Sequence, residues 1–69
     1  MSGIWRCEPG VFADVEVAEE FVVIEGRASI EAAGRRWELE PGSVCTLVAG
    51  TETVWTVHET LLKFYVIAD

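Results

Sequence analysis

Turn signals recur along this chain at intervals too short for ordinary helices. They are Glu8-Pro9-Gly10, Glu25-Gly26, Ala33-Gly34, Glu40-Pro41-Gly42 and Ala49-Gly50-Thr51. Gly reaches positive φ without steric cost and Pro pre-sets a turn dihedral, so such clusters punctuate the backbone. The segments between them are rich in Val, Ile, Trp, Phe and Thr, the branched and aromatic residues that suit a pleated surface. Many short strands at this spacing predict an all-β sandwich or barrel.

Periodicity adds local detail. Ala28, Ile30 and Ala32 alternate with Arg27, Ser29 and Glu31, and Trp37 and Leu39 alternate with Arg36, Glu38 and Glu40. A period of two marks a half-buried strand, so these segments read as a hairpin turning near Ala33-Gly34. Asp14 to Glu20 carries no capping residue leading a sustained helical pattern, and it reads as a loop or strand entering Phe21.

Two stretches break the alternation. Phe21-Val22-Val23-Ile24 is apolar on both faces, and Leu61–Ile67 is interrupted only by the charge of Lys63. A strand apolar on both faces is covered on both faces. A chain of 69 residues holds one small domain, spanning 1–69, with no spare segment to form a second layer. A domain of this size buries only about 60% of its unfolded surface and gains from a staple. Cys7 and Cys45 are the only cysteines and His58 the only histidine, too few for a four-ligand zinc site without carboxylate help. Self-association is the remaining staple, and a homodimer covering the second apolar faces is expected.

Charge narrows the partners. Twelve acids against five cations leave a formal charge of −7, whereas a phosphate backbone is held by clustered cations, so nucleic acid is not an expected partner. No apolar run approaches a membrane span, and no charged-then-apolar signal segment opens the chain, which predicts a cytoplasmic protein with no membrane partner.

The order of these segments resembles the small single-domain cupins. Gly3-Ile4-Trp5-Arg6-Cys7-Glu8-Pro9-Gly10-Val11-Phe12 looks like their opening. Glu19 to Gly26 resembles the second half of cupin motif 1. Pro41-Gly42-Ser43 through Ala49-Gly50 resembles the start of motif 2, and Trp55–Glu59 followed by Lys63–Ile67 completes the pattern. The subgroup is similar to the cupin module of (S)-ureidoglycine aminohydrolase. The resemblance implies a small antiparallel β-barrel of jelly-roll type. Metal-binding cupins use two His and a Glu from motif 1 and a His from motif 2. Here Glu19 matches the Glu, no His occurs in Ala13 to Glu16, and the motif-2 position is Thr53. Ser43 and Val48 also depart from the pattern. One ligand of four is kept, so no metal and no cofactor is expected.

The remaining chemistry is spread over few residues. Counting inward from Thr53 gives Thr53, Trp55 and Val57, which turns His58 outward. Glu16 and Glu19 with His58 form at best a carboxylate-rich metal site. Cys7 or Cys45 would need a base to act as a nucleophile, and packing is the plainer role for a free Cys. The acids Glu16, Glu19, Glu20 and Glu25 could hold an acid–base pair only across a cleft that so small a barrel scarcely offers. Lys63 and Tyr65 share a face, and Trp55 lies on what reads as the preceding strand. If those faces are interior, Trp55, Lys63, Tyr65, Glu19 and Thr53 line a pocket for a small anionic or planar ligand. Alternatively Lys63 snorkels to the rim or pairs with Glu19, and Trp55 is core. Strand parity leaves the inward face open.

Fold does not decide function among such barrels. The preferred reading is a metal-independent small-molecule-binding or accessory module rather than an enzyme. The alternatives are a small cupin enzyme acting on a carboxylate or ureido-type metabolite, and a structural dimerisation domain.

Overall fold

Strand formers between turns give six strands in the computed structural model, which describes residues 1–68. They are β1 (Ser2–Cys7), β2 (Gly10–Val15), β3 (Glu19–Ala32), β4 (Arg35–Leu39), β5 (Val44–Leu47) and β6 (Glu52–Ile67). The two long strands, β3 and β6, pair antiparallel along most of their length. β1 and β2 run one after the other along the outer edge of β6, pairing Leu61–Val66 and Glu52–Val57 in turn. β4 and β5 do the same along the far edge of β3. The sheet is therefore four rows wide, and every pairing is antiparallel.

Turn chemistry explains the corners. Ala33 (φ 50°) and Gly34 (φ 74°) occupy a two-residue loop between the paired Ala32 and Arg35. Positive φ at both central residues is the type I′ geometry that matches strand twist. The hairpin expected at Ala33-Gly34 is thus formed. Glu8-Pro9 and Glu40-Pro41-Gly42 are corners between successive edge strands rather than hairpins.

Glu25-Gly26 is not a turn. It lies inside β3, where the register against β6 shifts between Val23 and Ala28. Inward positions change there from odd (Phe21, Val23) to even (Ala28, Ile30). Added residues bend a strand and increase its twist, and Gly26 takes φ 90° beside the Thr60 carbonyl, with which a Cβ would overlap. The segments Phe21–Ile24 and Arg27–Ala32 are two halves of one strand. Trp55 and Lys63 likewise share β6, correcting the expectation of a separate preceding strand.

Bending doubles the sheet over its own apolar face. Phe21, Val23, Ala28, Ile30, Leu39, Leu47, Trp55, Val57 and Leu61 form the core. Rings from both halves meet within it: Trp5 of β1 lies 6.2 Å from Phe12 of β2 and 5.9 Å from Trp55.

The jelly-roll barrel expected from the cupin resemblance is not closed. Closure would require the β1–β2 row to pair with the β4–β5 row, and among the described residues the sheet path ends at both edges without such a ladder. The edge strands are four to six residues long, and the interior between the rows is occupied by aromatic rings. Backbone bonds between Glu16 and the Gly50-Thr51 turn prolong the β2–β6 pairing beyond Val15 and Glu52.

Candidate functional site

The site begins with the odd-numbered positions of β6. Thr53, Trp55, Lys63 and Tyr65 turn inward, and Thr53, Trp55 and Lys63 are buried. Cross-strand pairing sets Phe12 opposite Trp55 and Trp5 opposite Lys63. Phe12 and Trp55 stack at 5.9 Å with ring planes 7° apart, an arrangement that adds to area burial.

Glu16 enters from the connection between β2 and β3. Its N–H donates to Thr51 O at 2.9 Å, and its carbonyl accepts from the Gly50 N–H at 2.8 Å. The turn at Gly50 thereby fixes the carboxylate. Thr53 Oγ1 donates to Glu16 Oε2 at 2.7 Å and Trp55 Nε1 donates to the same oxygen at 2.9 Å. Burial of a charge is tolerated when donors surround it.

A second carboxylate comes from the start of β3. Lys63 Nζ lies 2.6 Å from Glu19 Oε2. The same ammonium stands over Phe21 at 4.2 Å, Trp5 at 4.8 Å and Trp55 at 4.9 Å from the ring centroids. Ring quadrupoles attract a cation at such distances, more strongly when water is excluded.

These groups surround a cavity of about 240 Å³, with Asp14, Glu16, Glu19 and Lys63 as its charged lining and Trp5, Phe12, Trp55, Tyr65 and Ile67 as its walls. Of the residues singled out by sequence, Trp55, Lys63, Tyr65 and Glu19 line this cavity. Thr53 stands behind it as a donor to Glu16. Trp5, Phe12 and Asp14 were not anticipated, because their approach depends on both edge strands tracking β6. Phe12, three residues after the Glu8-Pro9 corner, carries no periodic signal of its own.

The donors of a cupin metal centre are not assembled. Glu19 is engaged by Lys63, Thr53 by Glu16, and His58 faces the opposite side of the sheet. Among the described residues no group of three His, Cys, Asp or Glu side chains could hold a metal ion.

His58 belongs instead to a polar cluster on the outer face. The Ser29 hydroxyl donates to Glu38 and accepts from Arg36 at 3.0 Å, with His58 Nε2 also 3.0 Å away. The Ser29 bond, then the Arg36 guanidinium and the His58 ring, hold the Glu38 carboxyl below its usual range, against an opposing effect of desolvation. Glu38 bonds Ser29 rather than orienting His58, and Ser29 is fully buried, so the cluster lacks the relay of a nucleophilic triad. Alternation along the β3–β4 hairpin already sets Ser29, Arg36 and Glu38 among its polar positions, but nothing in the local pattern joins His58 of β6 to them. Both cysteines are free thiols, and burial pushes the Cys45 thiol up, away from thiolate chemistry.

Comparison with known proteins agrees with this architecture. The profile of the EutQ-like cupin domain matches residues 1–65. A DUF861 family protein from Thermotoga maritima superposes with TM-score 0.88 at 25% identity, over 96% of this chain and 77% of that one. A DUF1255 protein of unknown function from Acidithiobacillus ferrooxidans gives 0.83 at 30% identity, over 88% and 60%. The EutQ protein of Clostridium difficile gives 0.80 at 20% identity, over 93% and 52%, a likeness of fold alone. The chain thus spans roughly half to three quarters of these proteins. No match is found among curated proteins. The narrower likeness to ureidoglycine aminohydrolase is not specified by the profile match. Among the described residues no helix is long and apolar enough to cross a membrane.

Proposed function

The chain belongs to the EutQ-like cupin domain family, and from that premise we propose that it is a metal-independent binding module, acting as one cytoplasmic domain over residues 1–69. The observation that carries this reading is the cavity in which Glu16, Glu19 and Lys63 converge among aromatic walls. Concave, largely apolar sites with a few fixed polar groups are how proteins hold small molecules. The lining has carboxylates that can orient a ligand, and the reading assigns it no reaction. At about 240 Å³ the cavity suits a small metabolite rather than a nucleotide. Thermal-shift screening of the purified chain against small charged and planar metabolites tests the module. Saturable stabilisation that disappears in Trp5→Ala supports it, and no stabilisation by any member of such a series overturns it.

A homodimer is the second part of the proposal, favoured by one outer row of side chains. Ile4 pairs with Phe64, Phe64 with Val22, and Val22 with Val44, so the row crosses all four ranks of the sheet. Ile4, Phe64, Val44 and neighbouring Ile24 and Val66 are well exposed. A two-fold contact would let that row cover itself. Light scattering should give twice the chain mass, and Phe64→Asp should halve it. A wild-type monomer at micromolar concentration overturns the dimer.

A further inference from the structure

The charge balance of the cavity names a ligand class. Its lining holds three carboxyl groups, Asp14, Glu16 and Glu19, against the single ammonium of Lys63. That ammonium is already satisfied by Glu19 and by three ring faces, so it offers no free counter-charge to an anion. Glu19 is spent in that pair, whereas Glu16 and Asp14 form no ion pair among the described residues. Both donors to Glu16 reach Oε2, and no protein donor among the described residues reaches Oε1. Since no fully buried side-chain oxygen among them lacks a partner, Glu16 Oε1 keeps some contact with solvent, and Glu16 lines the cavity. Asp14 stands at the exposed margin, its Oδ1 taken by the Val15 N–H at 2.8 Å.

We propose that the cavity binds a small organic amine in its ammonium form, with the nitrogen donating to Glu16 Oε1, the charge balanced further by Asp14, and the carbon skeleton against Trp5, Phe12 and Tyr65. This rests on the binding-module reading. Trp5, one of these walls, already faces an alkylammonium, that of Lys63, at 4.8 Å, and ring faces attract such a group. A carboxylate held rigid by two donors while its other oxygen has no protein donor is pre-organised for a charge-assisted hydrogen bond. A metal ion is a poorer occupant, since three ligating side chains do not converge among the described residues. The formal charge of −7 over the chain favours approach of a cation.

Calorimetry at constant ionic strength tests this with propylamine and putrescine, set against choline, whose quaternary nitrogen has no N–H to donate and which should bind more weakly, and against acetate, benzoate and potassium. Propylamine and putrescine should bind saturably, and Glu16→Gln should weaken them at least about tenfold, the equivalent of one charge-assisted bond. Gln keeps an oxygen acceptor for Thr53 and Trp55, and circular dichroism of the variant checks that it is folded. If Glu16→Gln does not fold, Asp14→Asn at the rim serves, with a weakening in the same direction. Binding of acetate or benzoate in place of the amines overturns the cation and leaves the module standing. Amine binding unaffected by a folded Glu16→Gln or by Asp14→Asn overturns the proposed site. Silence across the whole series overturns the amine site, while the module stands or falls on the metabolite screen.

Discussion

Lys63 Nζ sits 2.6 Å from Glu19 Oε2, joining β6 to β3 with both side chains more than nine-tenths removed from solvent. Such a pair offsets two desolvation costs only while both partners are present. Lys63→Met should therefore destabilise the fold by about 3–5 kcal/mol, because it leaves Glu19 buried without its counter-charge. Adding Glu19→Leu should recover most of that loss, since an apolar pair of similar volume fits among Trp5, Phe21 and Trp55. Urea unfolding of the two variants measures the difference. A double variant no more stable than the single one would contradict this account.

Trp55 combines two roles that substitution can separate. Its ring contacts Phe12, Phe21 and Trp5, and its Nε1 donates to Glu16. Trp55→Ala should cost about 3–5 kcal/mol from the cavity it leaves. Trp55→Phe keeps much of the stacking and should cost about 1–3 kcal/mol, largely from the weakened solvation of Glu16. Equal midpoints for the two variants would place the whole effect on one role.

Much of this arrangement is legible in the chain, and the gaps have physical causes. Once Thr53 is set inward by its place in the cupin-like pattern, strand parity gives the inward Trp55 and Val57 and the outward turn of His58. The two-sided apolar character of Phe21–Ile24 also corresponds to structure, with Phe21 and Val23 in the core and Ile24 outside. Glu25-Gly26 misleads because glycine serves a tight turn and a strand bend equally well, and only the register against β6 distinguishes them. Glu16 gives no periodic signal, since it lies in a connection and is placed by backbone bonds to a turn 34 residues away. Barrel closure is a property of edge pairing, which hydrophobic pattern within a strand does not encode.

Two positive-φ positions, one inside β3 and one in a turn, test the backbone account with opposite signs. Gly26 holds φ 90° with Thr60 O where a Cβ would stand, so Gly26→Ala should destabilise by more than about 1–2 kcal/mol, the cost of a left-handed residue even without a clash. Ala33 occupies φ 50° in the type I′ turn with open surroundings. Ala33→Asn should stabilise by about 0.5–1 kcal/mol, because Asn tolerates that region and Asn-Gly is a favoured pair there. Thermal midpoints should move in opposite directions.

Cys45 should be a slow thiol. Burial raises its proton affinity, and nearby Glu16 and Glu19 add to this against the opposing charge of Lys63. In a Cys7→Ser background, alkylation by iodoacetamide at neutral pH should lag well behind that of a small free thiol, and urea should abolish the lag. Reaction of the folded protein at the free-thiol rate would show that Cys45 is not shielded as described.

The Ser29 cluster predicts a pH dependence of defined sign. Ser29 donates to Glu38, and Arg36 and His58 lie beside it, so the folded state favours the carboxylate and lowers its pKa below the ordinary 4.5. In the unfolded chain those partners are lost and the ordinary value returns. The unfolded state therefore binds the proton more readily as pH falls, and folding stability falls with it. The contribution of Glu38 is present in full above the unfolded value and is lost as pH drops through the depressed folded value. Glu38→Gln removes this ionisation while retaining an acceptor for Ser29. The stability gap between wild type and Glu38→Gln, measured by urea unfolding, should be widest near neutral pH and close as the pH falls below the ordinary carboxylate range and through the depressed folded value. Ser29→Ala, which deletes the largest cause of the shift, should already narrow the gap at neutral pH. A gap of constant size across that range would mean that Glu38 titrates alike in both states and that the cluster is not electrostatically coupled.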